Sequence, residues 1–486
     1  MKILFASPEV VPFAKTGGLA DVAGALPKAL SCLGHDVKVI LPKFKMVDGK
    51  KYDLIKVYSG LKVEIMGRIE LADVYEALIP GSNVMAYFIS NDKYFNRSGL
   101  YQEKGVDYPD NLERFTFYSM AALEFVKKLG WKPDILHAND WQSALMIMYI
   151  KTIYKDDSFF SDISTVYSVH NMGYQGIFPS DQLPITGLSW EYFSMDSLEF
   201  YGKIALTKAG FEYADVINTV SETYSHEIQT PEFGHGLEGL LKERSKDVYG
   251  IVNGLDYDLW NPEVDTYIVK KYGPRNIEDK IENKKALQKQ NGLPGSDLPL
   301  IGIISRLADQ KGFDILAEDM ENIMHLKIQF VLLGTGEPKY HDLFLDMKRK
   351  YPDHIGVNLG FDAALAQMIY AGSDMFLMPS RYEPCGLGQL ISYKYGTIPV
   401  VRKTGGLADT VFDEMTGFVF EEYSAKALHD AIKRAITAYN NKKRWASLIR
   451  SVMILDYSWN ASAKKYVDLY RKALEKVLTP VPLSYR

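Results

Sequence analysis

Short apolar runs alternate with longer stretches of helical spacing along most of this 486-residue chain. Runs of this length suit strands that are buried on both faces, and the stretches between them suit helices that cover the sheet. The pattern predicts an α/β fold built on parallel strands. In the first half the runs are at residues 3–6, 36–41, 84–89, 134–137, 165–169 and 215–220, and helical spacing is clearest at 112–129 and 141–153.

The same alternation begins again after about residue 255, which indicates a second domain of the same class. Its apolar runs are at residues 300–305, 329–333, 355–359, 374–378 and 397–401. Residues 256–273 are rich in Asp, Asn, Pro and Tyr without periodicity, so we interpret them as the linker. A basic stretch of helical spacing at 461–478 can belong to either half.

Composition excludes several classes of protein. With 56 Lys and Arg against 61 Asp and Glu, the chain is a poor candidate for binding nucleic acid. Its longest apolar run, 144–150, is far shorter than the roughly 20 residues of a membrane span. A glutamate at position 9 interrupts any signal-peptide core, so we expect a cytoplasmic protein. Two cysteines and nine irregularly spaced histidines predict no disulfide framework, no metal site and no cofactor.

One octapeptide occurs almost unchanged in both halves, as KTGGLADV at 15–22 and KTGGLADT at 403–410. We interpret it as a Gly-Gly turn placed before a helix at a ligand-facing edge of each domain, the alternative being coincidence. In the first copy, Gly17 and Gly18 would let backbone N–H groups approach an anion, and Lys15 would add a cation. An ordinary turn without a ligand remains the alternative.

Two loops of the second half follow predicted strands and carry charge. Arg306 and Lys311, five residues apart in SRLADQKG, are suited to clamp a diphosphate. In PSRYEPCGLG, Glu383 can accept hydrogen bonds from neighbouring hydroxyls, and the amides of 386–388 can meet phosphate. The alternatives are a solvated basic loop and a solvated carboxylate.

Two loops of the first half, HANDWQ at 137–142 and HNMGYQG at 170–176, combine polar, aromatic and glycine residues. Such a mixture is typical of carbohydrate sites, where hydroxyls are hydrogen-bonded and rings stack on sugar faces. The chain contains neither HExxH nor GxSxG, which disfavours a zinc hydrolase and a serine hydrolase.

Six motifs in this order resemble bacterial glycogen synthase and plant starch synthase, the ADP-glucose-using family. They are KTGGLADV, HANDWQ, VHNMGYQGIFP, GIVNGLDYDLWNP, SRLADQKGFD and SRYEPCGLGQL. The resemblance implies a GT-B glycosyltransferase with two doubly wound, Rossmann-like domains facing a deep interdomain cleft. Residues 1–255 would form the acceptor-side domain, with a C-terminal helix at about 458–486 crossing back to it, and 256–457 the nucleotide-sugar domain.

The resemblance also implies an activity, its partners and roles for individual residues. Glucose would pass with retention from ADP-glucose to the non-reducing end of glycogen or another α-1,4-glucan. The implied catalytic residues are His170, Arg306, Lys311 and Glu383. The implied donor-binding residues are Lys15, Gly17, Gly18, Asn253, Phe361, Cys385, Gly386 and Leu387. Asp21, Asp140, Trp141 and Tyr174 would line the cleft on the acceptor side.

Departures from the wider pattern leave alternatives open. Many related GT-B enzymes have a second glutamate eight positions after the first, and here Ile391 stands at that position. The starch-type branch of the family also lacks this glutamate. Gly388 replaces a frequent threonine, which affects a phosphate contact rather than the reaction class. The alternatives are a transferase that uses UDP-glucose, another GT-B glucosyltransferase, and a glucan-binding protein without activity.

Overall fold

The structure is a computed structural model that describes residues 1–478 and divides into two compact units. The first unit comprises Met1–Val220, Ser225–Gly254 and the chain from Trp459 onward. The second comprises Ser221–Tyr224 and Leu255–Ser458. Each is built around its own central sheet with helices, so the predicted α/β fold is confirmed. Within residues 1–478, no helix is long and apolar enough to cross a membrane.

The chain up to residue 250 supplies most of the first unit. Its strands are β1 (Lys2–Ala6), β2 (Asp36–Pro42), β3 (Ile55–Ile65), β4 (Arg68–Leu78), β5 (Met85–Ser90), β6 (Gln102–Glu103), β7 (Val106–Asp107), β8 (Ile135–Asn139), β9 (Ser164–Val169), β10 (Ile177–Pro179), β11 (Glu199–Phe200), β12 (Lys203–Ala205), β13 (Val216–Thr219) and β14 (Val248–Gly250). Its helices are α1 (Gly18–Cys32), α2 (Asp92–Phe95), α3 (Asn111–Leu129), α4 (Trp141–Lys151), α5 (Leu206–Tyr213), α6 (Glu222–Glu227) and α7 (Glu238–Glu243).

The central sheet of this unit has the order β14-β13-β9-β8-β1-β2-β5-β4-β3. The strands from β14 to β5 are parallel, and the apolar runs predict all of them except the short edge strand β14. The edge of the sheet is not parallel, because β3 and β4 form an antiparallel hairpin that extends it. Buried and exposed residues alternate in the second half of β3, so it contains no continuous apolar run.

Strand order reverses beside β1, which fixes where a ligand can bind. The chain passes from β1 to β2 on one side and later returns to β8 on the other. In open α/β sheets, ligands bind outside the carboxyl ends of the strands at such a reversal. The loops that begin after Ala6 and after Asn139 therefore define the candidate crevice of this unit.

The second unit repeats this plan with parallel strands throughout its sheet. The strands are β15 (Leu300–Ile304), β16 (Gln329–Gly334), β17 (Ile355–Leu359), β18 (Met375–Met378), β19 (Ile398–Arg402) and β20 (Phe418–Phe420), and their order is β17-β16-β15-β18-β19-β20. The helices are α8 (Lys280–Gln290), α9 (Phe313–Met324), α10 (Pro338–Lys350), α11 (Ala363–Gly372), α12 (Gly388–Lys394), α13 (Gly405–Thr410), α14 (Ala425–Asn440) and α15 (Lys442–Met453). Here the order reverses between β15 and β18, so the loops after these two strands face one crevice.

The last helix, α16 (Trp459–Leu478), belongs to the first unit. It packs against α1 and β9, and the Tyr470 hydroxyl lies 2.8 Å from Nδ1 of the buried His137. A Cβ on Gly254 would lie 2.6 Å from the backbone nitrogen of Trp459, so glycine is needed where the helix begins. The final part of the predicted helix, residues 479–486, lies outside the described residues.

Candidate active site

A pocket of about 210 Å³ lies at the strand-order reversal of the second unit. Two loops line it, and both carry residues that the sequence singles out. The loop after β15 supplies Ser305, Arg306 and Lys311, and the loop after β18 supplies Ser380, Glu383 and Gly386. The fold therefore brings the two predicted diphosphate-binding cations and the predicted sugar-binding carboxylate to one pocket.

Lys311 and Glu383 form the charged centre of this pocket. Lys311 Nζ lies 2.6 Å from Glu383 Oε2, and the Ser380 hydroxyl donates a hydrogen bond of 3.0 Å to the same oxygen. Glu383 is only 7% exposed, so its charge needs such partners to be tolerated. The lysine is more accessible than the carboxylate, which leaves it open to a second anion.

Close packing of the two loops fixes this geometry. Gly312 follows Lys311 with φ of 78°, and a Cβ there would lie 2.0 Å from the carbonyl oxygen of Pro379. Only glycine adopts this left-handed conformation without strain and also leaves room for that oxygen. Arg306 donates a 2.8 Å hydrogen bond to Gln310 Oε1, so the first loop also orients its own guanidinium.

The remaining predicted donor residues of this unit differ in their surroundings. Gly386 and Leu387 line the pocket, and Gly386 has φ of 72°, a conformation that favours glycine. Cys385 is buried, and Phe361 is 92% exposed on the loop after β17. Neither Cys385 nor Phe361 lines the pocket, so their contacts with a donor remain predictions.

In the first unit, Glu9 organises the loop that follows β1. Its Oε2 accepts hydrogen bonds from the backbone nitrogens of Thr16 and Gly17, and its Oε1 accepts from the hydroxyls of Thr16 and Tyr101. Glu9 is 4% exposed. Sequence reasoning missed this residue, and its one signal was an acidic side chain a few positions after a buried strand.

Lys15 and Asp21 are paired at the start of α1. Lys15 Nζ lies 2.7 Å from Asp21 Oδ1 and 2.8 Å from Oδ2. Burial raises the pKa of Asp21, and the Lys15 ammonium opposes that shift. A Cβ placed on Gly17 or Gly18 would meet no atom of the described residues within 4 Å. Packing within the described chain therefore does not require these glycines, and the backbone there is open to an approaching group.

Asp140 and His170 lie at the carboxyl ends of β8 and β9. Asp140 has φ of 54° and ψ of 175°, a strained conformation for a residue with a side chain, and its Oδ1 accepts a 2.7 Å hydrogen bond from the His170 backbone nitrogen. Burial raises the pKa of Asp140 to about 7. Burial also lowers the pKa of His170 to about 4, and its Nε2 lies 3.0 Å from Asn139 Oδ1. The imidazole is therefore neutral at pH 7, with its proton on Nε2.

The three other predicted residues of this unit occupy different environments. Trp141 is 8% exposed, and its ring packs against Phe115 and the backbone of Gly176. Tyr174 is 58% exposed. Asn253 is buried, and its Oδ1 has no hydrogen-bond partner among the described residues. Contacts of these side chains with substrate remain predictions.

Among residues 1–478, no group of three or more His, Cys, Asp or Glu is arranged to hold a metal ion.

Comparison with known families and structures agrees with this arrangement. The family model described as "Starch synthase catalytic domain" matches residues 2–243, and the model "Glycosyl transferases group 1" matches residues 283–451. The catalytic domain of starch synthase IV from Arabidopsis thaliana, solved bound to ADP and acarbose, superposes with a TM-score of 0.89 at 34% identity, covering 98% of this chain and 99% of that one. The fold is thus that of the GT-B glycosyltransferases.

Two curated relatives narrow the relationship further. Glycogen synthase from Thermosipho africanus is 50% identical over 488 residues, covering 98% of this chain and all of the relative. Glycogen synthase from Thermotoga maritima is 48% identical over 489 residues, with the same coverage. The chain belongs to the glycogen synthase family of glucosyltransferases.

Proposed function

We propose that this protein transfers glucose from ADP-glucose to the non-reducing end of an α-1,4-glucan, with retention at the anomeric carbon. The observation that carries the proposal is the pocket that joins Arg306, Lys311 and Glu383 at the strand-order reversal of the second unit. The family relationship supports a nucleotide-sugar donor and a glucan acceptor.

The charges of the pocket suit the departure of a diphosphate. The bond between the glucose C1 and the β-phosphate oxygen breaks, and negative charge grows on the diphosphate. Cations that are already in position stabilise this charge better than water, which would have to reorganise. Removing one such group typically costs about 3 kcal/mol of transition-state stabilisation, or roughly a hundredfold in rate. Arg306 and Lys311 are the residues to which we assign this role.

Retention follows from attack on the face from which the diphosphate leaves. The acceptor 4-hydroxyl forms the new bond to C1, and its proton passes to the departing phosphate oxygen, which gives ADP and a glucan one glucose longer. This route needs no ionisable side chain as a base. Because its pKa is low, the His170 ring is a weak base at pH 7. We therefore assign His170 a role through its backbone and not through proton transfer by its ring.

We assign most donor contacts to the second unit, and the acceptor together with a few donor contacts to the first. Glu383 would accept hydrogen bonds from glucose hydroxyls, since it is a carboxylate already held in the pocket. In the first unit, Lys15 and the open Gly17–Gly18 backbone are suited to an anionic group of the donor. Asp140 would hold the segment of His170 in place.

The test is incorporation of labelled glucose into glycogen from ADP-glucose or, separately, UDP-glucose. We expect incorporation from ADP-glucose at a kcat/KM at least about tenfold above that from UDP-glucose. A preference for UDP-glucose would replace the donor in this proposal. Incorporation from neither donor would overturn the proposal and leave two alternatives, another GT-B glucosyltransferase and a glucan-binding protein without activity.

The matched control uses two lysines of the second unit. Lys311→Ala should slow transfer by roughly a hundredfold. Lys350→Ala removes an exposed lysine on α10 that pairs with Glu321, and should transfer at the rate of the unmodified protein. Equal rates in both variants would mean that Lys311 is not part of the diphosphate site.

A further inference from the structure

The second copy of the octapeptide lies against the backbone of the Glu383 loop. Gly405 has φ of 44°, and a Cβ on it would lie 2.0 Å from the carbonyl oxygen of Glu383. A Cβ on Gly406 would lie 2.0 Å from the carbonyl oxygen of Cys385. The Gly406 nitrogen donates hydrogen bonds of 3.1 Å and 3.2 Å to the carbonyls of Glu383 and Pro384. Glycine is therefore required at both positions by contact with this loop.

Gln389 connects the same loop to α13. Its Nε2 donates to the carbonyl oxygens of Cys385 and Gly386, at 3.1 Å and 2.9 Å, and lies 3.2 Å from Thr410 Oγ1. The Thr410 hydroxyl in turn donates a 2.6 Å hydrogen bond to the carbonyl of Gly406. Gln389 and Thr410 are fully buried, so these bonds are shielded from water.

Every backbone carbonyl from residue 383 to residue 386 thus accepts a hydrogen bond from a group of the second unit. The Ser221 hydroxyl adds a 2.6 Å bond to the carbonyl of Pro384. Backbone held at successive residues cannot shift at one of them alone. The position of the Glu383 carboxylate consequently depends on α13 and on Gln389.

The two copies of the octapeptide therefore serve different purposes despite seven identical residues. In the first copy, a Cβ on Gly17 or Gly18 meets nothing within 4 Å among the described residues. In the second copy, a Cβ on either glycine overlaps the Glu383 loop. Gly405, Gly406, Gln389 and Thr410 also do not line the pocket of the second unit.

We infer that Gly405, Gly406, Gln389 and Thr410 are positioning residues that set the place of the Glu383 carboxylate for glucosyl transfer. This inference rests on the proposed function, because it assigns these residues a role in that reaction. They act through Glu383 and not by touching the donor. A misplacement of about 1 Å at a reacting group can cost roughly a hundredfold in rate, so this support has a measurable consequence.

The experiment compares two substitutions of Thr410 in the full chain. Thr410→Val keeps the shape but removes the hydroxyl that links Gln389 to Gly406. Thr410→Ser keeps the hydroxyl. We expect Thr410→Val to lower kcat about tenfold while its affinity for ADP changes less than about twofold, and Thr410→Ser to restore kcat. Equal kcat in the two variants would overturn the inference.

A double-mutant cycle with Glu383→Gln separates positioning from general damage to the fold. If Thr410 acts through Glu383, Thr410→Val should lower the residual rate of Glu383→Gln by less than about twofold. A tenfold loss in both backgrounds would overturn the inference and leave the proposed function intact. Gly406→Ala should behave as Thr410→Val does, and Thr410→Val decides the matter if Gly406→Ala does not fold. If the unmodified protein transfers glucose from neither donor, the proposed function and the inference fail together.

Discussion

Lys311 Nζ lies 2.6 Å from Glu383 Oε2, so the carboxylate that we assign to the sugar and a cation that we assign to the diphosphate form an ion pair with each other. Breaking a buried ion pair by removing one partner is costly, because it leaves the other charge without compensation. A bound diphosphate would share Lys311 with Glu383. In the proposed reaction, arrival of the donor would therefore be coupled to the hydrogen bonds that Glu383 accepts from glucose.

The first prediction concerns this pair. Lys311→Met should lower the free energy of unfolding by about 1–3 kcal/mol, because it leaves the Glu383 carboxylate buried without its cation. Glu383→Gln in the same chain should recover most of that loss, since no unpaired charge then remains. Chemical denaturation of the single and double variants measures this. If the double variant is no more stable than Lys311→Met, the ion pair does not govern the stability of the loops.

The second prediction concerns Glu9. Glu9→Gln keeps the size of the side chain and can turn its one oxygen to the backbone nitrogens of Thr16 and Gly17. Its NH2 group then replaces the oxygen that accepts from the hydroxyls of Thr16 and Tyr101. We expect a loss of about 1–3 kcal/mol in unfolding free energy and a fall in transfer rate, because the Lys15 loop is released. Glu64→Gln, at an exposed position of β3, is the matched control and should change neither quantity. Unchanged activity in Glu9→Gln would show that the loop keeps its place without this carboxylate.

The third prediction concerns Gly18, the first residue of α1. Gly18→Ala meets no atom of the described residues and should leave the unfolding free energy unchanged or raise it by up to about 1 kcal/mol. We nevertheless expect transfer to slow, because the methyl group occupies the space in which a donor would approach the backbone. Steady-state kinetics and thermal unfolding of the same sample separate the two effects. Full activity would assign Gly17 and Gly18 to an ordinary turn.

The fourth prediction concerns the pH dependence of stability through Asp140. Its pKa in the folded protein, about 7, is higher than the ordinary value of 3.8, so the folded state binds the proton more tightly than the unfolded state. The stabilisation that Asp140 gives is complete below pH 3.8 and is lost as the pH rises through 7. Asp140→Asn keeps an oxygen for the His170 backbone nitrogen but does not ionise. It should gain stability relative to the unmodified protein, by up to about 4 kcal/mol, between pH 4 and pH 8. Denaturation at both pH values tests this, and a constant difference would contradict it.

The sequence predicts most of the parallel strands because they contain apolar runs, and it does not predict the short edge strands β14 and β20. It did not predict the β3–β4 hairpin, in which apolar residues are spread over an edge that is partly exposed, such as Ile69 and Leu71. The composition of α16 also does not show to which of the two units this helix belongs. That membership depends on distant partners such as His137, which lie in a different part of the sequence.

The candidate site was predictable where charge follows a buried strand. Arg306, Lys311 and Glu383 stand in loops that a parallel sheet must bring to one edge, and the fold places them in one pocket. Glu9 escaped notice because a single glutamate after a strand is usually solvated. The strain at Asp140 was likewise invisible, since backbone angles depend on what the surrounding structure imposes.

The path of α16 has a consequence for biosynthesis. Because Tyr470 supplies one of the two hydrogen-bond partners of the His137 ring, the first unit cannot complete its buried contacts until residue 470 has left the ribosome. All residues of the second unit, up to Ser458, are synthesised before that helix. Domains usually fold in the order of their synthesis. In this chain the unit that is translated first is expected to finish folding last.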